Sequence, residues 1–481
     1  MTARSQRIPP GIAYTASVAF DKGFSLITIP LVAGYLTPQE FGRLDVVVSV
    51  IEFAGLILAL GVAETLIRFA SAAQTDAERQ TCVARFLGTA LVLALIAGSL
   101  LQVLAPWLAA ALNIQVSLSA LRLGLAGATV AALIETPLMW MRLNQRSDLF
   151  LAFVLGRAVC QVLLMWAVLR AGWGSDGLIM GNAVAMILFS VCLVLWQIST
   201  TGIAVSWDAL QRIASYGLPL VGAGLAMFAL GNGNRWFLSG RVADADIAFL
   251  GLAFKLALAT PLMLQPFALW WNAQRIEALT SPGGLEKSAA AWGLGVSVLT
   301  LSALAVALGG PLLIHLALPP AYVGATLYLP FAVLVCVFNE LNTLCNVGAY
   351  ARSNGFYVFG VNASGAAIAV IGYAVSVPHF GVAGILAAMT AGHVVRLALF
   401  ARIGRDVAPI RYPVLPALAA AVLSVSAVWL APAATEVVAR VAWSAVAFLS
   451  VGMVLVASRL LIIPGSLLPK RLRSFDYAVG R

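Results

Sequence analysis

Several ionisable side chains lie in the middle of long apolar segments of the chain, where a bilayer would surround them. Asp21 and Lys22 are the first of these, about 11 residues into the first apolar segment, or roughly 16 Å at 1.5 Å per residue. A charge at that depth costs at least about 2.5 kcal/mol, so it persists mainly where it faces a cavity, a partner or a polar substrate. Such residues are therefore the first candidates for the chemistry of the protein.

Three basic residues could hold an anionic group. Lys22 lies in the first apolar segment, Arg235 in the seventh and Lys255 in the eighth. If these segments converge, the three side chains form a cationic cluster that suits a phosphate or a pyrophosphate. Two alternatives remain open: Asp21 and Lys22 neutralise each other, or Arg235, near the outer end of its segment, extends to the membrane interface.

Asparagine side chains share helix faces in two of the segments. Asn232 lies three residues before Arg235 and so falls on the same face. Asn339, Thr343 and Asn346 are spaced at i, i+4 and i+7, which again gives one face. These faces could contact a polar substrate, and hydrogen bonding between helices is the alternative.

Acidic residues in mid-segment could bind a coupling ion. Glu340 lies beside the asparagine face of its segment, and Arg396 of the twelfth segment is a potential partner for it. The candidates for substrate binding are Lys22, Asn232, Arg235, Lys255, Asn339 and Arg396. The candidates for ion coupling are Asp21, Glu52 and Glu340.

The composition is that of a membrane protein. Of the 481 residues, 62% are hydrophobic and only 10% are charged, whereas soluble domains carry about a quarter charged residues. The net charge of +10 comes from basic residues near the ends of apolar segments, so we expect no nucleic-acid binding. The five cysteines form no C-x-x-C pair and the three histidines are widely scattered. We therefore expect no metal and no cofactor.

The apolar segments predict an all-α polytopic fold with about 14 transmembrane helices, each about 20 residues long or more. Those discussed below are 11–36, 82–105, 149–171, 176–200, 357–378 and 381–404. A weak internal repeat relates the first two segments to the seventh and eighth. It predicts two pseudo-symmetric six-helix lobes, residues 1–212 and 213–405, followed by two extra helices and a basic tail in 406–481. Repeats of this kind place the substrate site between the lobes.

The basic residues predict the orientation in the membrane. With the N-terminus inside, the inside loops contain most of the basic residues, whereas the outside loops hold few, mainly Arg43, Arg170, Arg241 and Arg440. We therefore predict that both termini are cytoplasmic. The basic residues of the inside loops are Arg79, Arg142, Arg146, Arg212, Arg275, Lys287, Arg352, Arg402 and Arg405.

Two segments of the chain resemble bacterial oligosaccharide flippases of the Wzx type. From Leu36, LTPQEFGRLDVVVSVIEFAGLILALGVAETLIRF is similar to the second span of that family. From Ser215, SYGLPLVGAGLAMFALGNGNRWFLSG is similar to its seventh span, with Tyr216-Gly217-Leu218-Pro219 at the start and Asn234-Arg235 near the end. The lipid II flippase and the MATE drug/cation antiporters are sister families with the same fold.

The resemblance implies two lobes around a cavity that opens alternately to either side. It implies that a polyprenyl-diphosphate-linked oligosaccharide crosses the cell inner membrane before polymerisation or export. In that family a cationic cavity is expected to hold the diphosphate, and Lys22, Arg235 and Lys255 are the positions here that could serve. The implied partners are the lipid-linked glycan, membrane lipids, and polysaccharide polymerase and export machinery.

Two other classes of function remain as alternatives. A MATE-like drug or cation antiporter should favour acidic residues in its cavity, whereas the mid-membrane set here is mixed and net basic. A membrane polysaccharide polymerase or ligase needs a sizeable outside loop or a deep catalytic histidine. The longest outside loop has about a dozen residues and His393 stands alone beside Arg396, so we expect a transporter and not an enzyme.

Overall fold

A computed structural model of the chain describes residues 28–111, 115–351, 356–407 and 409–461. Within these ranges the regular secondary structure is helical and includes no β-strand. A helix satisfies every backbone hydrogen bond within its own segment, which is why apolar segments of this length fold as helices in a bilayer. The predicted all-α polytopic fold is confirmed.

The helices follow one another with short connections. The connections include a π-helical turn, Ile213–Gly217, and a 3-10 turn, Pro320–Tyr322. In chain order the α-helices are α1 (Pro38–Ala59), α2 (Val62–Ala70), α3 (Asp76–Ala111), α4 (Leu118–Leu143), α5 (Ser147–Arg170), α6 (Gly174–Thr201), α7 (Trp207–Arg212), α8 (Leu218–Leu230), α9 (Asn234–Leu238), α10 (Asp244–Ala257), α11 (Ala259–Thr280), α12 (Gly284–Ala317), α13 (Ala325–Cys345), α14 (Val347–Ala351), α15 (Phe356–Val407), α16 (Val414–Trp429) and α17 (Val437–Ala457).

In the part of the chain that the structure describes, 11 helical stretches are long and apolar enough to cross a membrane. The predicted first span, 11–36, falls mostly outside the described residues. The predicted spans 357–378 and 381–404 correspond to two helical segments within α15, which are separated by a kink at Gly381 (φ 53°, ψ −127°), three residues after Pro378. Helix α16 has only 16 residues, fewer than a span usually needs. The count of 14 therefore stays a prediction.

The start of α1 is fixed by a capping box. The Thr37 backbone N–H donates to the Glu40 carboxylate at 2.8 Å, and the Glu40 N–H donates to the Thr37 hydroxyl at 3.3 Å. Pro38 occupies the first turn, where its missing N–H costs nothing. These caps set the helical register that places the polar residues of α1 on one face.

Glycine permits a close backbone approach at the break between α1 and α2. Gly61 has a φ of 63°, and a Cβ there would lie 2.6 Å from the Gly217 carbonyl oxygen. That distance is too short for any side chain, so the backbone at the start of α8 depends on glycine at both positions.

We expect Gly61→Ala to lower the melting temperature of the detergent-purified protein by several degrees, because it adds a steric clash to an unfavourable φ. The matched control is Gly172→Ala, where φ is 74° but a Cβ would meet nothing within 4 Å. The control should lose only about 1–2 kcal/mol of folding free energy, because its alanine adopts a left-handed backbone conformation without a clash. Equal melting temperatures for the two variants would contradict the close approach.

The chain forms two compact units, each with its own buried core. The first consists of Met1–Leu252, Leu318–Ala325 and Asn362–Gly392, and the second of Ala253–Ala317, Thr326–Val361 and His393–Arg481. In the first unit, residues of α1, α4 and α6 pack together around Val47, Leu121, Leu125 and Ile179. In the second, α11, α12 and α13 pack around Leu264, Trp271, Leu299 and Leu344. The predicted lobe boundaries at 212 and 405 stay a prediction.

Candidate functional site in the membrane-spanning helices

One face of α1 carries polar residues through the middle of a membrane span. Asp45, Ser49 and Glu52 follow at intervals of four and three, so they lie on the same side of the helix. The segment that they contact is interrupted: α8 ends at Leu230 and α9 begins at Asn234. Transporters tolerate such interruptions where the unwound backbone is buried in protein or lines a cavity.

A buried ion pair joins α1 to α9. The Arg235 Nε donates to Asp45 Oδ2 at 3.0 Å, and the two residues are 7% and 6% exposed. The Arg235 Nη1 also donates to the side-chain oxygens of Asn234 at 3.1 Å and Asn232 at 3.4 Å. Gly251 of α10 leaves room for the carboxylate, because a Cβ there would lie 2.5 Å from Asp45 Oδ2. Arg235 is therefore buried and paired within the protein and does not extend to the surface.

The same network continues to a carboxylate at the protein surface. The Asn232 Nδ2 donates to Glu52 Oε2 at 2.8 Å, and both residues are exposed. A carboxylate in mid-span is costly in contact with hydrocarbon, so the exposed side of this pair faces water or a polar ligand. We call the five residues Asp45, Glu52, Asn232, Asn234 and Arg235 the Arg235 network.

Aromatic side chains pack beside the Arg235 network. The Trp236 Nε1 donates to the Ser49 hydroxyl at 3.0 Å, which fixes the indole against α1. Phe53 meets the Trp236 ring edge-on with centroids 4.9 Å apart, and Phe228 lies 5.3 Å from Phe53. These contacts hold the interrupted segment in a defined position next to the ion pair.

A second polar group lies in the other compact unit, between α13 and the C-terminal half of α15. The Arg396 Nη1 lies 3.0 Å from His393 Nδ1 and donates to Asn339 Oδ1 at 3.4 Å. The Asn339 Nδ2 in turn donates to Glu340 Oε1 at 3.2 Å. Asn342, 1% exposed, donates to the His393 carbonyl at 3.1 Å. We call these residues the Arg396 cluster.

A second ion pair lies where α1 and α10 begin. The Arg43 Nε is 2.8 Å from Asp244 Oδ2, and both side chains are partly exposed. Gly42 lies directly against the Asp244 backbone, because a Cβ there would overlap the Asp244 carbonyl. A cavity of about 270 Å³ opens beside the pair, with Gln115 and Ser239 on its wall.

A tyrosine contact lies at the same end of α1. The Tyr322 hydroxyl donates to the Leu36 carbonyl at 2.8 Å, and its ring meets Phe41 edge-on at 5.9 Å. Burial raises the pKa of Tyr322, so the hydroxyl stays protonated and remains a donor at any physiological pH. With the Arg43–Asp244 pair, this contact joins residues 36–43 to residues far along the chain.

The structure brings some of the predicted site residues together. Asn232, Arg235 and Glu52 form one network, and Asn339, Glu340 and Arg396 form another, with Asn339 between the other two. Asp21 and Lys22 lie outside the described residues, and Lys255 is partly buried in the last turn of α10, in the unit that contains Arg396. The cationic cluster of Lys22, Arg235 and Lys255 stays a prediction.

Two contacts of the candidate residues were not predicted from the sequence. Asp45 is the ion-pair partner of Arg235, from which it is separated by 190 positions. The ring nitrogen of His393, a residue expected to stand alone beside Arg396, contacts the Arg396 guanidinium. The spacing of Asp45, Ser49 and Glu52 was the available signal, since it predicts a polar face that needs a partner.

Comparisons with known proteins give one family match and several similar folds. Residues 31–265 match a family model described as polysaccharide biosynthesis protein. The fold is similar to the lipid II flippase MurJ in an inward closed conformation, with 10% identity, a TM-score of 0.72, and coverage of 94% of this chain and 100% of that one. It is also similar to an inward-facing multidrug resistance MATE transporter of the MOP superfamily, with 14% identity, a TM-score of 0.60, and coverage of 83% and 98%.

The fold is also similar to that of an outward-facing MATE transporter, with 17% identity, a TM-score of 0.52, and coverage of 83% of this chain and 96% of that one. No curated protein sequence matches the chain. The fold is thus similar to that of the MurJ and MATE structures, and 11 helical stretches of the described residues are long and apolar enough to cross a membrane. The family-model match covers just under half of the chain, and the similar structures named above are 10–17% identical, so membership of the Wzx-type flippases stays a prediction.

Proposed function

We propose that the protein is a flippase that moves a polyprenyl-diphosphate-linked oligosaccharide across the cell inner membrane by alternating access. It acts by transport and not by catalysis, with both termini cytoplasmic, and it supplies the glycan to polymerase and export machinery. The description of the matched family as a polysaccharide biosynthesis protein supports a glycan substrate. The likeness to a lipid II flippase supports a lipid-linked one.

The observation that carries the proposal is the Arg235 network. A buried ion pair alone would serve a structural role, but this one continues through Asn232 to Glu52, and both of those side chains are exposed in mid-span. Polar groups in that position are expensive in hydrocarbon and mark the path of a polar substrate. The network therefore supports a translocation pathway along this face of α1.

Within this proposal Arg235 exchanges partners during transport. Its charge is balanced by Asp45 in the structure. A diphosphate offers several oxygen acceptors to a guanidinium, so it can replace the carboxylate as the partner. Lys22, Lys255, Asn339 and Arg396 complete the proposed binding set.

The contacts at the start of α1 are the ones that alternating access must break. Arg43, Asp45 and Leu36 belong to the predicted first lobe, whereas their partners Asp244, Arg235 and Tyr322 belong to the predicted second lobe. In the predicted orientation this end of α1 is extracytoplasmic.

The experiment that tests the function measures lipid-linked oligosaccharide in a deletion strain. We expect the intermediate to accumulate on the cytoplasmic side and surface or secreted polysaccharide to fall, with both restored by the wild-type gene. Unchanged intermediates together with normal polysaccharide would refute the flippase.

A drug or cation antiporter is the second candidate, because the exposed Glu52 offers a carboxylate to a cation and the fold is shared with MATE transporters. In that case the deletion strain would keep normal polysaccharide and become more sensitive to cationic drugs. Drug susceptibility measured in the same strain separates the two functions.

We also propose that Glu52 couples transport to an ion gradient. Glu52→Gln keeps a hydrogen-bond acceptor for Asn232 but removes the charge, so gradient-driven transport is expected to fall about tenfold while exchange without a gradient continues. The measurement is uptake in proteoliposomes with and without an imposed pH or sodium gradient. Glu436→Gln, an exposed acid before α17, is the control. Gradient-driven transport by Glu52→Gln at the wild-type rate would remove Glu52 from coupling.

A further inference from the structure

A cavity of about 580 Å³ lies where several membrane spans reach the same side of the bilayer. It is enclosed by the end of α2, the first turns of α3 and helix α7, all within the first compact unit. Its volume is in the range of about 300–1,000 Å³ that small-molecule sites occupy. The cavity is separate from the Arg235 network, which takes none of the lining residues.

The wall of the cavity carries two charges of each sign. The Arg212 Nε forms an ion pair with Asp208 at 3.0 Å, and its guanidinium lies over the Phe69 ring at 4.4 Å. Glu78 and Arg85 of α3 also line the cavity, and one oxygen of the Glu78 carboxylate accepts from the N–H groups of Gln74 and Thr75. The lining is therefore complementary to a group that carries both a positive and a negative charge, and not to a simple anion.

The spacing of the two α3 residues defines the size of that group. Glu78 and Arg85 are seven positions apart, so they lie on the same helix face about 10.5 Å apart along the axis. The two side chains therefore present opposite charges that are separated along the helix axis. This arrangement suits an ammonium and a phosphate joined by a short linker.

The cavity lies at the depth where lipid headgroups lie. Trp207, at the first position of α7, is 71% exposed, and Val205 before it is 68% exposed. Exposed tryptophan beside exposed aliphatic residues at the end of membrane spans is typical of the boundary between hydrocarbon and water. On the inner side of the cavity, Phe69 and Phe86 stack with ring centroids 6.3 Å apart and offer an apolar wall for the start of an acyl chain.

We propose that this cavity binds the headgroup of phosphatidylethanolamine, with the phosphate at Arg85 and the primary amine at Glu78. The bound lipid fills the gap between the loop that follows α2 and helix α7, so it ties these two connections together at the membrane surface. This site is independent of the proposed flippase substrate.

Native mass spectrometry of the full-length purified protein tests the site. Phosphatidylethanolamine, phosphatidylcholine and phosphatidylglycerol are added separately, and the dissociation constant of each is measured for the wild type, Arg85→Gln and Glu78→Gln. The glutamine at position 78 keeps the capping bonds to the N–H groups of Gln74 and Thr75, so the start of α3 is preserved. Arg79→Gln is the control, because Arg79 contacts Asp76 and does not line the cavity.

We expect the wild type to prefer phosphatidylethanolamine over the other two lipids. Arg85→Gln should weaken the binding of both phosphatidylethanolamine and phosphatidylglycerol about tenfold, because it removes the partner of the lipid phosphate in each case. Glu78→Gln should weaken the binding of phosphatidylethanolamine alone. Arg79→Gln should leave the binding of both lipids unchanged. The proposal is overturned if phosphatidylglycerol binds as tightly as phosphatidylethanolamine, or if either cavity substitution leaves phosphatidylethanolamine binding unchanged.

A second readout needs no substitution. Cys82 lines the cavity, so a bound headgroup should slow its labelling by N-ethylmaleimide, measured by peptide mass. Equal labelling of Cys82 with and without phosphatidylethanolamine would count against the site.

Discussion

Replacing Asp45 by alanine is expected to destabilise the protein strongly, because Arg235 then stays buried without its carboxylate partner. Breaking a buried ion pair by removing one partner costs about 3–5 kcal/mol, since the remaining charge has lost its compensation. The measurement is the melting temperature and the yield of the detergent-purified variant. A melting temperature equal to that of the wild type would show that the pair does not hold α1 and α9 together.

The double substitution Asp45→Ala with Arg235→Leu separates stability from function. Removing both charges leaves an apolar contact, which is often as stable as the ion pair that it replaces. We therefore expect the double variant to recover most of the melting temperature and yet fail to restore polysaccharide in the deletion strain. A double variant that is both stable and active would assign the pair a structural role only.

Cross-linking positions 43 and 244 is expected to abolish transport. The Arg43–Asp244 contact joins the predicted lobes where α1 and α10 begin, and alternating access requires that such contacts open on one side in every cycle. Cysteines at both positions, in a background without the five native cysteines, are bridged with a short bifunctional thiol reagent. Transport in proteoliposomes should fall to the level of empty vesicles and should be unaffected when the reagent is omitted.

The matched control bridges positions 208 and 212. Arg212 and Asp208 also form an ion pair, at 3.0 Å, but both lie in the short helix α7, so a bridge between them restrains nothing across the lobes. We expect that cross-link to leave the transport rate near that of the unbridged protein. Full activity of the 43–244 bridged protein would mean that this end of α1 does not open during transport.

The sequence predicts the helical fold well because the bilayer allows few other structures. Long apolar segments between polar turns become helices, and the spans around α3, α5 and α6 begin and end within several residues of the predicted limits. The break between two spans in α15 is also visible in the sequence, because Pro378 and Gly381 interrupt the apolar pattern where the backbone leaves helical geometry.

The partners of the candidate site were harder to predict than its members. Glu52, Asn232 and Arg235 could be selected because polar residues in apolar segments are rare. Their contacts depend on the rotation and height of α1 relative to α9, which are set by tight backbone contacts such as that between Gly42 and Asp244. Hydropathy carries no information on these packing details, so the pairing of Asp45 with Arg235 emerges only from the structure.

The central claim is that the protein moves a lipid-linked glycan across a membrane with Arg235 in the pathway. The direct measurement reconstitutes the purified protein in vesicles with a polyprenyl-diphosphate-linked oligosaccharide and follows how much becomes accessible to an enzyme added outside. We predict that the wild type exposes the inner-leaflet pool, whereas the stable double variant Asp45→Ala with Arg235→Leu exposes it no faster than empty vesicles. Equal, slow exposure with the wild type and with empty vesicles would contradict the account.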